Sequence, residues 1–349
     1  MSEKLSFASD YMDGAHPVVL ERLNTENYRR HPGYGEDDLC QSARERIRSA
    51  CGAPEAGVWF LVGGTQTNAT VIDALLRPWQ GVIAADSGHI STHEAGAIEF
   101  GGHKVLALPH ENGKLTAEAV RRCCALHWED GNRDHMVEPG MVYLSQPTEY
   151  GTLYSLAELE AIAAVCRDYG IPLYADGARL AYALACPEND VTLPDLARLC
   201  DVFYIGGTKC GALMGEAVVA RDPARLPRFF TVMKQHGALL AKGWLLGLQF
   251  DALFTDGLYA KDLGLPAIEG ADRMRTIFRE AGFPLGIEAP TNQVFVILEN
   301  SVMERLAEQV EFSFFETYDE TRTVIRLATN WATRLEEVEK LGPVLAGLR

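Results

Sequence analysis

The chain has 349 residues, with 48 Asp and Glu against 32 Lys and Arg, and a formal net charge of −16. This acidic balance argues against nucleic acid or an anionic membrane as the main partner, yet leaves room for an anionic ligand held by local donors. The length suits a large α/β domain with a smaller one appended, because a single core rarely grows past roughly 250–300 residues.

In chain order, Met1-Ser2-Glu3-Lys4-Leu5 lacks the basic stretch and apolar run of a signal peptide. No uninterrupted apolar segment reaches the roughly 18–20 residues of a membrane span. Cys40, Cys51, Cys123, Cys124, Cys166, Cys186, Cys200 and Cys210 show no paired metal-ligand spacing and read as idle thiols of a cytoplasmic protein. Strand signals fall at Val58–Val62, Val82–Ala85, Met141–Leu144, Pro172–Ala175, Val202–Ile205 and Glu216–Ala220. Helical periodicity runs between them, as in Leu156–Val165. This alternation predicts a mostly parallel sheet covered by helices on both faces, spanning residues 1–245. Beyond Lys242 a long helical stretch reaches about Gly282, then strands at Gln293–Ile297 and Thr323–Leu327 alternate with helices. Residues 246–349 therefore read as a smaller α+β domain.

Two strand ends carry the chemistry. Pro172-Leu173-Tyr174 delivers Ala175-Asp176-Gly177-Ala178-Arg179, and Val202-Phe203-Tyr204-Ile205 delivers Gly206-Gly207-Thr208-Lys209. In a parallel sheet both lie where ligands bind, beyond the carboxyl ends of the strands. A lysine there can hold pyridoxal 5′-phosphate (PLP) as a Schiff base, and an aspartate can keep its pyridine nitrogen protonated. Gly63-Gly64-Thr65-Gln66-Thr67-Asn68 opens a predicted helix whose free amides suit a phosphate, although a plain helix cap explains the segment alone equally well. The segment Ser87-Gly88-His89-Ile90-Ser91-Thr92-His93-Glu94 places two histidines at helical spacing. No second cluster completes a metal site, so no metal is expected. A flat imidazole stacked on a flat ring fits one of them, and an acid–base role fits the other.

Taken in order, Phe7-Ala8-Ser9-Asp10, His31-Pro32-Gly33-Tyr34-Gly35-Glu36-Asp37, Gly64–Asn68, His89 through His93 to Glu99, Ala175–Arg179, Thr208-Lys209 and Ile325-Arg326-Leu327-Ala328 resemble the L-threonine aldolases of the fold-type-I PLP enzymes. The resemblance spans nearly the whole chain. It implies an aspartate-aminotransferase-like large domain and a homotetramer built as a dimer of dimers. It also implies retro-aldol cleavage of L-threonine, L-allo-threonine or a related β-hydroxy-α-amino acid to glycine and an aldehyde. By the same resemblance Lys209 anchors PLP, Asp176 contacts its pyridinium, and His89 stacks on its ring. Gly64, Thr65 and Gln66 hold its phosphate and Thr208 also binds the cofactor, with Lys242 reaching a phosphate across a subunit boundary. Ser9, Arg179 and Arg326 grip the substrate carboxylate, and Tyr34 lies near the neighbouring site. Glu149, in Gln146-Pro147-Thr148-Glu149-Tyr150-Gly151, stands where some members carry a histidine facing the β-hydroxyl. The base is therefore Glu149, His93 or water. A β-eliminating lyase, an aminotransferase and a non-catalytic binding protein of the same fold remain the competing readings.

Overall fold

The structure of the chain, a computed structural model, describes residues 4–348; Met1–Glu3, part of the N-terminal pattern read above, lie outside the described residues. Its strands are β1 (Leu5–Ser6), β2 (Gly57–Leu61), β3 (Gln80–Ala85), β4 (Lys104–Leu108), β5 (Glu138–Ser145), β6 (Leu173–Asp176), β7 (Val202–Gly206) and β8 (Glu216–Ala220). They continue as β9 (Leu285–Ile287), β10 (Gln293–Glu299), β11 (Val310–Glu311), β12 (Ser313–Thr317) and β13 (Arg322–Ala328). Seven strands form the large sheet in the order β2-β8-β7-β6-β5-β3-β4. The β3–β4, β3–β5, β5–β6 and β6–β7 pairs are parallel, whereas β8 runs antiparallel to both neighbours. This is the expected α/β architecture.

The strands read as continuous apolar runs because helices cover both faces. β7 and β8 are buried at every position. The helices between them are capped by their own sequence. Ser155 and Glu158 form a reciprocal capping box at the start of the helix Leu156–Tyr169. Asp37 accepts from the Cys40 amide to open the helix Asp38–Ala50.

The C-terminal sheet is antiparallel, in the order β12-β13-β10-β9. It packs in a core of its own with the helix Leu265–Glu280 and with Phe7 from the N-terminal segment. That segment is held there by β1, which pairs in parallel with β11, and by the Ala328 amide donating to the Phe7 carbonyl at 2.8 Å. The predicted long helix after Lys242 is instead broken into pieces. Trp244–Leu253 and Leu258–Lys261 are separated at Asp256 and Gly257, whose backbones take φ of 53° and 77°, and a turn at 262–264 precedes Leu265–Glu280. Residues Leu246 to Ile268 join the large-sheet core. β4 and the short strands β1, β9, β11 and β12 gave no signal in the sequence. Each is too short or too exposed to show a clean period.

One contact fixes how the first long helix meets this core. A Cβ at Gly247 would lie 2.3 Å from Cys40 Sγ and 2.6 Å from Cys40 Cα, so the helices Asp38–Ala50 and Trp244–Leu253 touch backbone to side chain. Gly247→Ala is expected to lower stability by about 1–3 kcal/mol through overpacking. Denaturant unfolding of the two proteins checks this; an unchanged midpoint would show that the helices can separate freely.

Candidate active site

β6 and β7 converge so tightly at their carboxyl ends that side chains are excluded. A Cβ at Gly177 would lie 2.0 Å from the Tyr204 carbonyl oxygen, and one at Gly206 would lie 2.4 Å from that of Ala178. This approach brings Asp176, the last residue of β6, and Lys209, three residues beyond β7, to the same cavity of about 220 Å³. Gly64, Thr65 and His89 line it from one side, and Glu149, Arg179, Thr208 and Glu216 from others.

Asp176 is buried, and every contact on it is a donor. Oδ1 accepts from the Ala178 amide at 2.9 Å, and Oδ2 accepts from Tyr143 Oη at 2.8 Å and Asn68 Nδ2 at 3.0 Å. Asn68 also donates to Glu94 Oε1 at 2.7 Å and accepts from Tyr174 Oη at 2.8 Å. The same Glu94 oxygen meets His89 Nδ1 at 2.7 Å, which fixes the plane of the imidazole. One buried network therefore orients both the carboxylate and the ring.

Lys209 lines the cavity, and burial lowers its amine, with the Arg179 charge adding to that effect. Arg179 is itself bound by Asp10, Nε to Oδ2 at 2.5 Å and Nη2 to Oδ1 at 3.1 Å. Burial alone would raise the Asp10 carboxyl, but the Arg179 and Lys209 charges and the bonds from Arg179 and Asn292 bring it from 3.8 down to about 2. Glu149 Oε1 accepts from the His89 amide at 2.9 Å and Ser145 Oγ at 2.7 Å. Its carboxyl is nonetheless pushed up, chiefly by burial and further by the Asp176 charge.

Arg326 and His93 stand near the cavity without lining it. Arg326 makes only long contacts, 3.4 Å to Gln293 and 3.4 Å to Ser313, and its buried Nε has no partner. Burial and the neighbouring Arg179 charge lower it. Burial lowers His93 as well, with the charges of His89, Arg326, Arg179 and Lys209 behind it. Two guanidinium groups that repel each other, one of them poorly paired, form a place for a carboxylate.

Several predicted residues lie elsewhere. The Gln66 side chain turns away from the cavity, accepting from the Val62 amide and donating to the His236 carbonyl, both at 3.3 Å. Only its main chain, in the first turn of the helix Gly64–Leu75, remains on the phosphate side. Ser9 lines a separate open cavity beside Asp13 and Asn330, and its buried hydroxyl has no partner. Tyr34 lines a third cavity of about 360 Å³, and Lys242 is exposed. Among the described residues one group has ligand atoms close enough for a metal, His31, Asp37 and Asp38. Within that group Asp38 already pairs with Arg29, which also pairs with Glu26. The sequence reading missed Asp10, Asn68, Glu94, Tyr143 and Glu216 as site residues. Asp10, Asn68 and Glu94 stood inside the quoted motifs without a role of their own, and Tyr143 and Glu216 showed only as polar side chains within apolar strands.

The residues present fit PLP. The helix Gly64–Leu75 opens at Gly63 with no side-chain cap, which leaves its first amides for a phosphate. A carboxylate with three donors stands across the cavity from a lysine whose charge is disfavoured.

Comparison with known proteins agrees with this geometry. Residues 7–314 match the family described as beta-eliminating lyase. A low-specificity L-threonine aldolase of Pseudomonas aeruginosa is 30% identical over 345 residues, covering 96% of this chain and 95% of its own. Another, from Pseudomonas sp. strain NCIMB 10558, is 30% identical over 86% of each chain. The solved threonine aldolase of Leishmania major superposes with a TM-score of 0.94 at 43% identity, over 98% of this chain and 99% of that one. An aspartate aminotransferase of Thermus thermophilus, 17% identical with a TM-score of 0.73, shares the fold.

Breaking the Asp10–Arg179 pair would leave a buried guanidinium without its counter-charge. Asp10→Asn should cost about 3–5 kcal/mol at neutral pH. Because the folded carboxyl is depressed from 3.8 to about 2, the pair's contribution is complete above pH 4 and is lost as pH falls through 2. The stability gap between Asp10→Asn and the natural protein, measured by urea unfolding, should narrow over that window; a gap independent of pH would contradict the assignment.

Proposed function

The chain belongs to the beta-eliminating lyase family, alongside the low-specificity L-threonine aldolases, and from that premise we infer that it is a PLP-dependent aldolase. It cleaves L-threonine, L-allo-threonine or a related β-hydroxy-α-amino acid to glycine and an aldehyde. The observation that carries this reading is the meeting of Lys209 and Asp176 at one cavity.

When bound, PLP supplies the electron sink for the pair released as the substrate Cα–Cβ bond breaks. We assign Lys209 to hold it covalently, since a lowered amine spends more time in the neutral, nucleophilic form. Asp176 would face the pyridine nitrogen as an acceptor, held in place by its three donors. His89, oriented by Glu94, would lie against the ring. The amides opening the helix Gly64–Leu75 and the Thr208 hydroxyl would receive the phosphate.

Arg326, with the Nη1 edge of Arg179 that Asp10 leaves free, would orient the substrate carboxylate. Holding that group fixes which substrate bond stands perpendicular to the ring. Glu149 is the base we favour for the β-hydroxyl. It lines the cavity, one of its oxygens is already held by Ser145 and His89, and burial makes it a stronger base than a free carboxylate. The neutral His93 imidazole is the second candidate. Tyr34, which is exposed and lies under Lys234 Nζ at 4.8 Å, and the exposed Lys242 are consistent with a homotetramer whose dimers share sites. Among the described residues no helix is long and apolar enough to cross a membrane. The eight cysteines are unpaired, which suits a reducing cytoplasm.

The purified protein with PLP should release glycine and an aldehyde in equal amounts from L-threonine, L-allo-threonine or L-phenylserine. Formation of pyruvate and ammonia, or a requirement for a keto acid, would point to elimination or transamination instead. With Glu149 as base, activity rises with pH through a value above the ordinary carboxylate range, because only the ionised form accepts the proton. Glu149→Gln should lose that limb and about 10²–10⁴-fold in kcat. Retention of the same pH profile would move the role to His93.

A further inference from the structure

A second carboxyl stands in the cavity that the reaction above does not use. Glu216 opens β8, where its Cα pairs with Leu61 on one side and Gly206 on the other. Leu61 ends the strand leading into Gly63 and the helix Gly64–Leu75, and Gly206 ends the strand leading to Thr208 and Lys209. The side chain is 3% exposed and lines the cavity with Gly64, Thr65 and Thr208. Its Oε2 accepts from the Gly207 amide at 3.1 Å, and the Thr208 hydroxyl bonds the same carboxyl.

This position conflicts with an ionised glutamate. The groups assigned to the phosphate are amides and a hydroxyl, and the one guanidinium lining the cavity, Arg179, spends Nε and Nη2 on Asp10 and is assigned through Nη1 to the substrate carboxylate. A carboxylate set among them would repel a phosphate dianion at close range. A protonated carboxyl reverses the sign and supplies a short, strong donor to an oxyanion. We propose that Glu216 is a further binding residue for the cofactor phosphate, its carboxyl donating a hydrogen bond beside the amides that open the helix Gly64–Leu75, so that phosphate uptake weakens when that proton leaves. The inference rests on the cofactor placement proposed above.

The surroundings keep the proton in place near neutrality. Burial raises the Glu216 carboxyl from 4.5 to about 8, against the pull of Thr208, Gly207 and the Lys209 charge and with the Asp176 charge adding to the rise. The phenols that feel it, Tyr174, Tyr204 and Tyr259, are pushed well above their ordinary value, and the Cys210 thiol to about 12. Of the other ionisable groups lining the cavity, burial pushes the Glu149 carboxyl up and lowers the Lys209 amine, so the comparison that isolates Glu216 changes that carboxyl alone.

Pyridoxine 5′-phosphate carries the phosphate but no aldehyde, so its binding bypasses Lys209 chemistry; pyridoxine lacks the phosphate as well. Calorimetric titration of both into the cofactor-free full chain, from pH 7 to pH 9, tests the proposal. For the natural protein the phosphate ester should bind about tenfold more weakly at pH 9, as expected for loss of one required proton near pH 8, with pyridoxine much less affected. Glu216→Gln keeps a neutral donor of the same shape and should hold its affinity for the ester within about twofold across the range. A flat profile in the natural protein, or the same decline in Glu216→Gln, would overturn the proposal. Should Glu216→Gln not fold, the same titration of the Lys209→Ala, Glu149→Gln double variant takes its place: the decline should persist there, and a flat profile would overturn the proposal. Failure of the ester and of PLP to bind at any pH would instead overturn the cofactor placement.

Discussion

Charge buried at the end of the parallel sheet is the constraint on which the site depends. Lys209, Asp176, Glu149, Glu216 and the Asp10–Arg179 pair crowd around one cavity of about 220 Å³. In such surroundings an unpaired charge is costly, so each group must find a counter-charge, collect hydrogen bonds, or give up its charge. The chain uses all three solutions. Asp10 and Arg179 pair in bidentate fashion, Asp176 gathers three donors, and Lys209 and Glu216 shift toward their neutral forms.

Those solutions distribute protons in the pattern that amino-acid chemistry on PLP requires. In the function proposed above, the lowered Lys209 amine would bond with a carbonyl, Asp176 would face a ring nitrogen, and the desolvated Glu149 carboxylate would take a hydroxyl proton. The outer partners matter as much as the groups that touch the ligands. Asn68 links Asp176 to Glu94, and Glu94 in turn holds His89. Asp10 links the N-terminal segment to Arg179 on the large sheet and to Asn292 beside the small one. The position of Arg179 is thus tied to the docking of the smaller sheet.

Sequence made parts of this legible for a physical reason. Strands buried on both faces read as apolar runs, and the turn that follows each carboxyl end collects small residues and the functional group. Asp176 and Lys209 are visible on that basis alone, and so is the opening of the helix at Gly64. What stayed hidden depends on partners far away in the chain. Nothing local shows that Asp10 binds Arg179 across 169 positions, or that Gln66 spends its amide on Val62 and His236. Glu216 was read only as the first residue of a strand. Its placement follows from the reversal of β8, which brings the start of that strand to the edge where its neighbours end. The helix after Lys242 was read as one because apolar residues continue on both sides of Asp256 and Gly257, Leu253 and Phe254 before them and Leu258 and Tyr259 after, which hides the break.

Cofactor binding and catalysis both depend on the amine of Lys209. Borohydride treatment of the PLP-loaded protein, followed by proteolysis and mass spectrometry, should find a single phosphopyridoxyl adduct on the peptide that contains Lys209, with none on that peptide in Lys209→Ala. An adduct on another lysine, or none under conditions where PLP remains bound, would contradict it.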